Sequence, residues 1–224
     1  MTDLYTHALF GFGDGPANID DSIKILKNAY ASGISSCVFA PRCVLHRRGD
    51  TMRFLALRDQ NVEKIRMLNL NDVPIILSGA QVLMDHDLSL HKNIASLCIE
   101  NSNFLLIELP SIELFCDLDE WIYCLNTKGI IPVITNLEKY PFWKKLINEL
   151  TDVKVYYQVG ACVINNFFKR KIIKKLISAR KKFFLTSDGQ GLPAHPPNLP
   201  CALKKVKRRF KKSISSFLID FNQT

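Results

Sequence analysis

Residues 103–110 read NFLLIELP: four apolar side chains in succession, then a glutamate, then Leu-Pro. A run with no polar alternation is a strand buried on both faces, as in a parallel sheet covered by helices. Runs of the same kind recur as LYTHALF (4–10), ISSCVFA (34–40), VPIILSG (73–79), GIIPVIT (129–135), VKVYYQV (153–159) and KKFFLTSD (181–188). Amphipathic stretches lie between them. The spacing predicts helices over Asn18–Tyr30, Thr51–Leu70, Leu114–Asn126, Pro141–Leu150, Asn166–Arg180 and Pro200–Phe221. In the first of these Ile19, Ile23, Leu26 and Tyr30 share a face, and Gly33 supplies the stop. Seven or eight strands, nearly all followed by a helix, predict an α/β fold. Within that class a distorted (β/α)7 TIM-like barrel fits the unit count better than an open doubly wound sheet. One domain is expected over 1–224, because the only break in composition, GQGLPAHPPNLP at 189–200, is too short to separate two.

No apolar stretch approaches the roughly 18 residues of a membrane span, and MTDLYTHALF has no basic leader. The seven cysteines form no CxxC pair, and most lie in apolar runs, so buried, reduced thiols and a cytoplasmic location are expected. The net charge of +9 is unevenly placed: residues 167–212 hold 15 Lys or Arg and one acid, and the rest of the chain is net acidic. KKVKRRFKK (204–212) lies in a basic C-terminal helical segment at about 200–221. Such a segment fits a solvated surface, an acidic protein tail or a membrane surface. No stacking aromatics are interleaved with these charges, which makes nucleic acid the weakest partner class.

In a βα barrel the site lies at the C-terminal ends of the strands. The polar residues there are His7, Arg42, Gln81, Glu108, Asn136, Asp188 and Gln190. Taken singly, each could cap a helix or a turn. Taken together, they follow a family pattern. DLYTHALFGFGDGP (3–16) is similar to DIHCHILPGIDDGP, FAPR (39–42) to ATPH, and GAQ (79–81) to GQE. LIE (106–108) is shared, TNLEKY (135–140) is similar to AHPERY, and SDGQG (187–191) with Pro196 and Pro197 to SDAHN followed by PP. The chain resembles the polymerase and histidinol phosphatase (PHP) superfamily, in its branch of bacterial manganese-dependent protein-tyrosine phosphatases of capsule and exopolysaccharide operons.

That resemblance implies a cluster of divalent ions, Mn²⁺ above all, whose bound hydroxide attacks the phosphoryl group. Carried over by position, His7, Glu108 and Asp188 keep ligand character. Tyr5, Arg42, Gln81, Asn136 and Gln190 stand where the family has ligands. Neutral amide oxygens are weak ligands for a transition ion, and Arg42 brings a fixed positive charge. The phosphate-contacting arginines correspond to Lys139 and His195, so Arg42, Lys139 and His195 are the candidate phosphate-binding residues. The turn glycines persist, and His7 is the remnant of a ligand pair.

These residues lead to the expectation of a family member with a degraded metal site, little or no catalysis and no required cofactor. Such a protein would act by binding a partner or a phosphorylated tail. An active metal-dependent protein-tyrosine phosphatase with a reduced site at His7, Glu108 and Asp188 is the alternative, and a nucleic-acid-associated PHP module the second. The implied partner is a phosphotyrosine-bearing kinase tail, another anionic protein or a membrane surface, with the chain cytoplasmic and peripheral at the inner membrane. Arg42 is expected to pair with Glu108 or Asp188 inside the pocket, where losing it would strand a buried carboxylate at about 3–5 kcal/mol.

Overall fold

The computed structural model of the chain describes residues 1–13, 15–47, 49–112, 116–166, 169–187, 199–210, 214 and 216–221. Its strands are β1 (Thr2–Thr6), β2 (Ser36–Phe39), β3 (Arg42–Cys43), β4 (Ile75–Ser78), β5 (Gln81–Leu83), β6 (Phe104–Glu108), β7 (Ile131–Ile134), β8 (Tyr156–Gly160) and β9 (Phe183–Thr186). All of their pairings are parallel, in the orders β1-β2-β4 and β3-β5-β6-β7-β8-β9. The two sheets are one succession. β2 and β3 are halves of a strand bent at Ala40-Pro41, and β4 and β5 halves of one bent at Gly79-Ala80. Backbone bonds bridge both bends, from Gly79 N–H to Phe39 O (2.9 Å) and from Gln81 N–H to Pro41 O (3.0 Å). A Cβ at Gly79 would lie 2.9 Å from Val38 Cγ1, so the bend needs glycine there.

Counting each bent strand once leaves the seven strands of the expected barrel, in chain order. β9 lies against β1. Among the described residues no backbone ladder joins these two, and the tie is a side chain. Fully buried Asp3 in β1 accepts a hydrogen bond from Ser187 N–H (3.0 Å) and another from the Ser187 hydroxyl.

The continuous apolar runs now have their explanation. In β6, Phe104 and Leu106 point into the barrel with Leu4, Val38, Val133 and Phe184, while Leu105 and Ile107 point outward into the layer beneath the helices. Both faces are dry, so the strand cannot afford alternation.

The helices are α1 (Ile19–Ala31), α2 (Asp50–Arg66), α3 (Leu118–Thr127), α4 (Trp143–Glu149), α5 (Arg170–Ser178) and α6 (Leu199–Phe210). Asn18 caps α1 by accepting from Asp21 N–H, and Gly33 beyond its end takes φ +90°. Among the described residues no helix is long and apolar enough to cross a membrane. Several expected boundaries move: α5 starts at Arg170 and not at Asn166, and α4 at Trp143 and not at Pro141. α2 stops at Arg66, short of Leu70, and α3 starts at Leu118.

A larger change is at the C-terminus. The helix expected to reach Phe221 is described over Leu199–Phe210, Ile214 is helical, and Phe217–Ile219 lies along the sheet instead. Leu218 bridges Phe183 in parallel, with Phe183 N–H donating to Phe217 O (2.8 Å) and Ile219 N–H to Phe183 O (2.9 Å). Ile219 and Phe221 pack against the barrel interior. The physical reason lies in FLIDF (217–221): β-branched and aromatic residues satisfy a sheet edge and fill the barrel floor better than they extend a helix.

Candidate functional site

Strand order alone brings Tyr5, Arg42, Gln81, Glu108, Asn136 and Thr186 to one rim, since each sits at or just past a kinked or terminal strand position. Arg42 is level with Gln81 in the β3–β5 register, and Leu83 with Glu108 in β5–β6. The glycine-rich turn after β1 folds back on the His7–Leu9 backbone. A Cβ at Gly15 would lie 2.2 Å from Leu9 O, which leaves room for no side chain.

At the centre of the rim is the Tyr5 hydroxyl. It donates to Gln81 Oε1 (2.9 Å), accepts from Asn136 Nδ2 (3.2 Å) and meets His7 Nε2 at 2.6 Å. The direction of these bonds follows from a backbone carbonyl. Thr135 Oγ1 donates to Ile107 O (2.9 Å), so it accepts from Gln81 Nε2 (2.7 Å), and the Gln81 carbonyl then faces Tyr5. The single Tyr5 proton goes to Gln81. His7 must therefore carry its proton on Nε2 and donate it to Tyr5. A second chain runs beside the first: Asn136, at φ +52°, donates its N–H to Gln158 Oε1, and Gln158 Nε2 donates to Thr186 Oγ1. Asparagine tolerates that left-handed backbone.

Arg42 Nε donates to Glu108 Oε2 at 2.7 Å. The pair is not buried, as expected from sequence, but open: the arginine side chain is 47% and the glutamate 30% exposed. Solvent screens such a pair, so it stabilises the fold by about 1 kcal/mol at most and not by the larger figure for a dry site. Tyr140 braces the end of β6 by accepting from Leu109 N–H (2.9 Å), and burial pushes its phenol well above the usual value. Lys139 is exposed at the end of the 3₁₀ turn Leu137–Lys139. Asp188, Gln190 and His195 lie outside the described residues.

Sequence reasoning named Tyr5, Gln81 and Asn136 only as lost ligands and missed Thr135, Gln158, Thr186, Asp3 and Ser187 altogether. Each is a polar residue within or ending an apolar strand, a signal that marks the residue and not its partner. All seven cysteines are outside disulfides, but Cys116, Cys162 and Cys201 are exposed, contrary to the expectation of burial. Burial pushes the Cys43 thiol up to about 12, and burial with the Asp3 charge pushes Cys37 higher.

Whether these side chains suit a divalent cluster can be judged from their chemistry. The described rim offers a phenol, two carboxamides, one imidazole whose Nε2 is a donor, and a carboxylate paired with a guanidinium. Mn²⁺ and its neighbours prefer several carboxylates and imidazole lone pairs. The described donors do not fit a multi-ion cluster.

The family profile described as "Capsular polysaccharide synthesis, CpsB/CapC" matches residues 1–223. The chain belongs to the CpsB/CapC family. Among its relatives, CapC of Staphylococcus aureus is 27% identical over 206 residues, covering 88% of this chain and 79% of that one. Tyrosine-protein phosphatase CpsB of Streptococcus agalactiae is 23% identical over 230 residues (95% and 92% covered). Its namesake in Streptococcus pneumoniae is 24% identical over 228 residues (94% and 91%). In three dimensions the chain matches one of the crystal structures of YwqE from Bacillus subtilis and CpsB from S. pneumoniae, described as unique metal-dependent tyrosine phosphatases. The TM-score is 0.75 at 20% identity, over 94% of this CpsB/CapC chain and 87% of the other. At that identity the match speaks for a common fold, the PHP fold expected from the motifs. The relatives' names carry nothing in favour of a lapsed catalyst.

Proposed function

We propose that this CpsB/CapC protein engages tyrosine-phosphorylated protein in capsular polysaccharide synthesis, and that it does so without the divalent cluster of the metal-dependent phosphatases it resembles. One observation carries the reading: the Tyr5 hydroxyl stands at the rim centre in directed hydrogen bonds with His7, Gln81 and Asn136. A metal bound at these same atoms would have to displace two amides and, at His7 Nε2, a donor proton. Arg42 and Lys139 are the proposed anion contacts. Arginine suits a phosphoryl group through paired N–H donors, and its bond to Glu108 is exposed enough to exchange. The proposed partner is an acidic, phosphotyrosine-bearing protein tail, with the lysines and arginines of α5 and α6 as its wider electrostatic footing.

The second reading is an active metal-dependent tyrosine-protein phosphatase with a reduced site. The names of the streptococcal and Bacillus relatives favour it over the first.

One experiment separates the two. A fluorescent phosphotyrosine peptide is titrated with the full chain in the presence of Mn²⁺ while released phosphate is assayed in the same sample. The first reading expects saturable binding, weakened at least tenfold by Arg42→Ala, with no phosphate release. Release that depends on Mn²⁺ and on Glu108 establishes the second reading, and absence of both binding and release contradicts the two together.

A further inference from the structure

A second polar cluster stands on the loops after β3 and β5, outside the Tyr5 network. His86 Nδ1 is 2.6 Å from Asp85 Oδ1, and His86 Nε2 is 2.8 Å from His91 Nε2. His46 Nδ1 lies 3.8 Å from the other oxygen of Asp85. The separation of the two facing rings is set by a rigid piece of chain. Asp87 accepts from Ser89 N–H (2.8 Å), and the 3₁₀ turn Leu88–Leu90 between the histidines is anchored by buried Leu88.

Proton bookkeeping shows what this arrangement prepares. An ionised Asp85 accepts the Nδ1–H hydrogen bond of His86, so the His86 Nε2 lone pair accepts from His91 Nε2–H; an ion replaces that proton, which His91 carries on Nδ1 as the other neutral tautomer once bound. A carboxylate on the outer nitrogen is the brace that orients histidines bound to metals. Two imidazole nitrogens on one tetrahedral ion, each at ~2.0–2.1 Å, stand about 3.3 Å apart, a few tenths of an ångström beyond the present 2.8 Å. Both rings are partly exposed, so an ion can reach them. We propose that His86 and His91 form a two-histidine chelate for a late divalent transition ion, Zn²⁺ foremost, with Asp85 bracing His86 and water completing the shell. Imidazole nitrogen selects this class over Mn²⁺ or Mg²⁺. Among the described residues no three ligating side chains converge on one point, so the affinity is modest. The proposal stands apart from the proposed function and survives its failure.

The test is calorimetric titration of the full chain with Zn²⁺ alone. One equivalent is expected for the wild type, with affinity reduced at least tenfold in His86→Asn and in His91→Asn. Asp85→Asn is expected to weaken binding about 10–100-fold. Since a variant could fold poorly, histidine ring NMR on the wild type supplies a second readout: of the five histidines, two should shift together at one equivalent. Absence of Zn²⁺ binding, binding unchanged in both histidine variants, or shifts confined to other histidines would each overturn the proposal.

Discussion

Tyr5 and Gln81, 76 residues apart in sequence, meet through a 2.9 Å hydrogen bond at the barrel rim, where the family resemblance leads one to expect two metal ligands. Gln81 is buried, so its carbonyl has no water to fall back on. Tyr5→Phe should therefore cost about 1–3 kcal/mol, read as a lowered midpoint in urea or thermal unfolding. It should also free His7 to change tautomer, visible in its ring ¹⁵N shifts. A variant as stable as the wild type with an unaltered His7 would show that the hydroxyl is not the hub.

Arg42 and Arg58 offer a matched contrast. Arg42→Ala removes a half-exposed pair and should lower stability by about 1 kcal/mol or less. The Arg58 side chain is 7% exposed, pairs with Asp59 (2.8 Å) and donates to Ser96 O (3.2 Å). Arg58→Ala should cost about 2–3 kcal/mol, because a nearly buried charged donor to the carbonyls of Ser96 and Gly79 is lost. Chemical denaturation of the two variants side by side checks the ranking, and a larger loss for Arg42 would contradict it.

Asp3 ties the last strand to the first. Asp3→Asn keeps the volume and replaces one of the two acceptor oxygens, which face the Ser187 N–H and hydroxyl, by an NH2 donor, and it removes the charge from both bonds. A loss of about 1–3 kcal/mol is expected, together with faster amide exchange at Ser187 in hydrogen-exchange measurements. Protection equal to wild type would mean that β9 is held to β1 by other means.

Glu100 gives the fold an acid-sensitive element. Burial opposes its ionisation, but Ser78 N–H (2.9 Å) and Arg66 Nη2 (2.7 Å) outweigh that, and the carboxyl sits below its usual value. A depressed folded value means the contribution is complete above the unfolded carboxyl's pKa of ~4.3 and is lost as pH falls through the lower folded value. The site is a third exposed, so about 1 kcal/mol is at stake. Glu100→Gln should be less stable than the wild type at pH 7, and the gap should close between roughly pH 5 and pH 3. A gap constant with pH would exclude this account.

Much of this was legible in the sequence, and the remainder was not for identifiable reasons. NFLLIELP and its counterparts announced parallel strands because burial on both faces leaves no polar position to mislead. The rim residues could be ranked by strand ends, and Glu108 was conspicuous for its charge. Gln158 and Thr186 were not, because a neutral polar residue inside an apolar strand reads the same whether it bonds its neighbour or another strand. Nor could Asp3–Ser187 be read, since nothing local links residues 184 positions apart. Phe217–Ile219 was misread as helix because the lysine-rich run before it sets a helical period, while the sheet edge that captures the tail is supplied by Phe183.

The central claim is that the rim is a hydrogen-bonded network and not a manganese cluster. Its most direct test is the uptake of Mn²⁺ by the full chain, followed through loss of the free-ion EPR signal. Mn²⁺ stands at the weak end of the affinity order for nitrogen sites, so the His86–His91 pair should contribute little. The account predicts a free-ion signal undiminished at equimolar metal, in the wild type and in Glu108→Ala alike. Uptake of two or more ions per chain, abolished by Glu108→Ala, would contradict it.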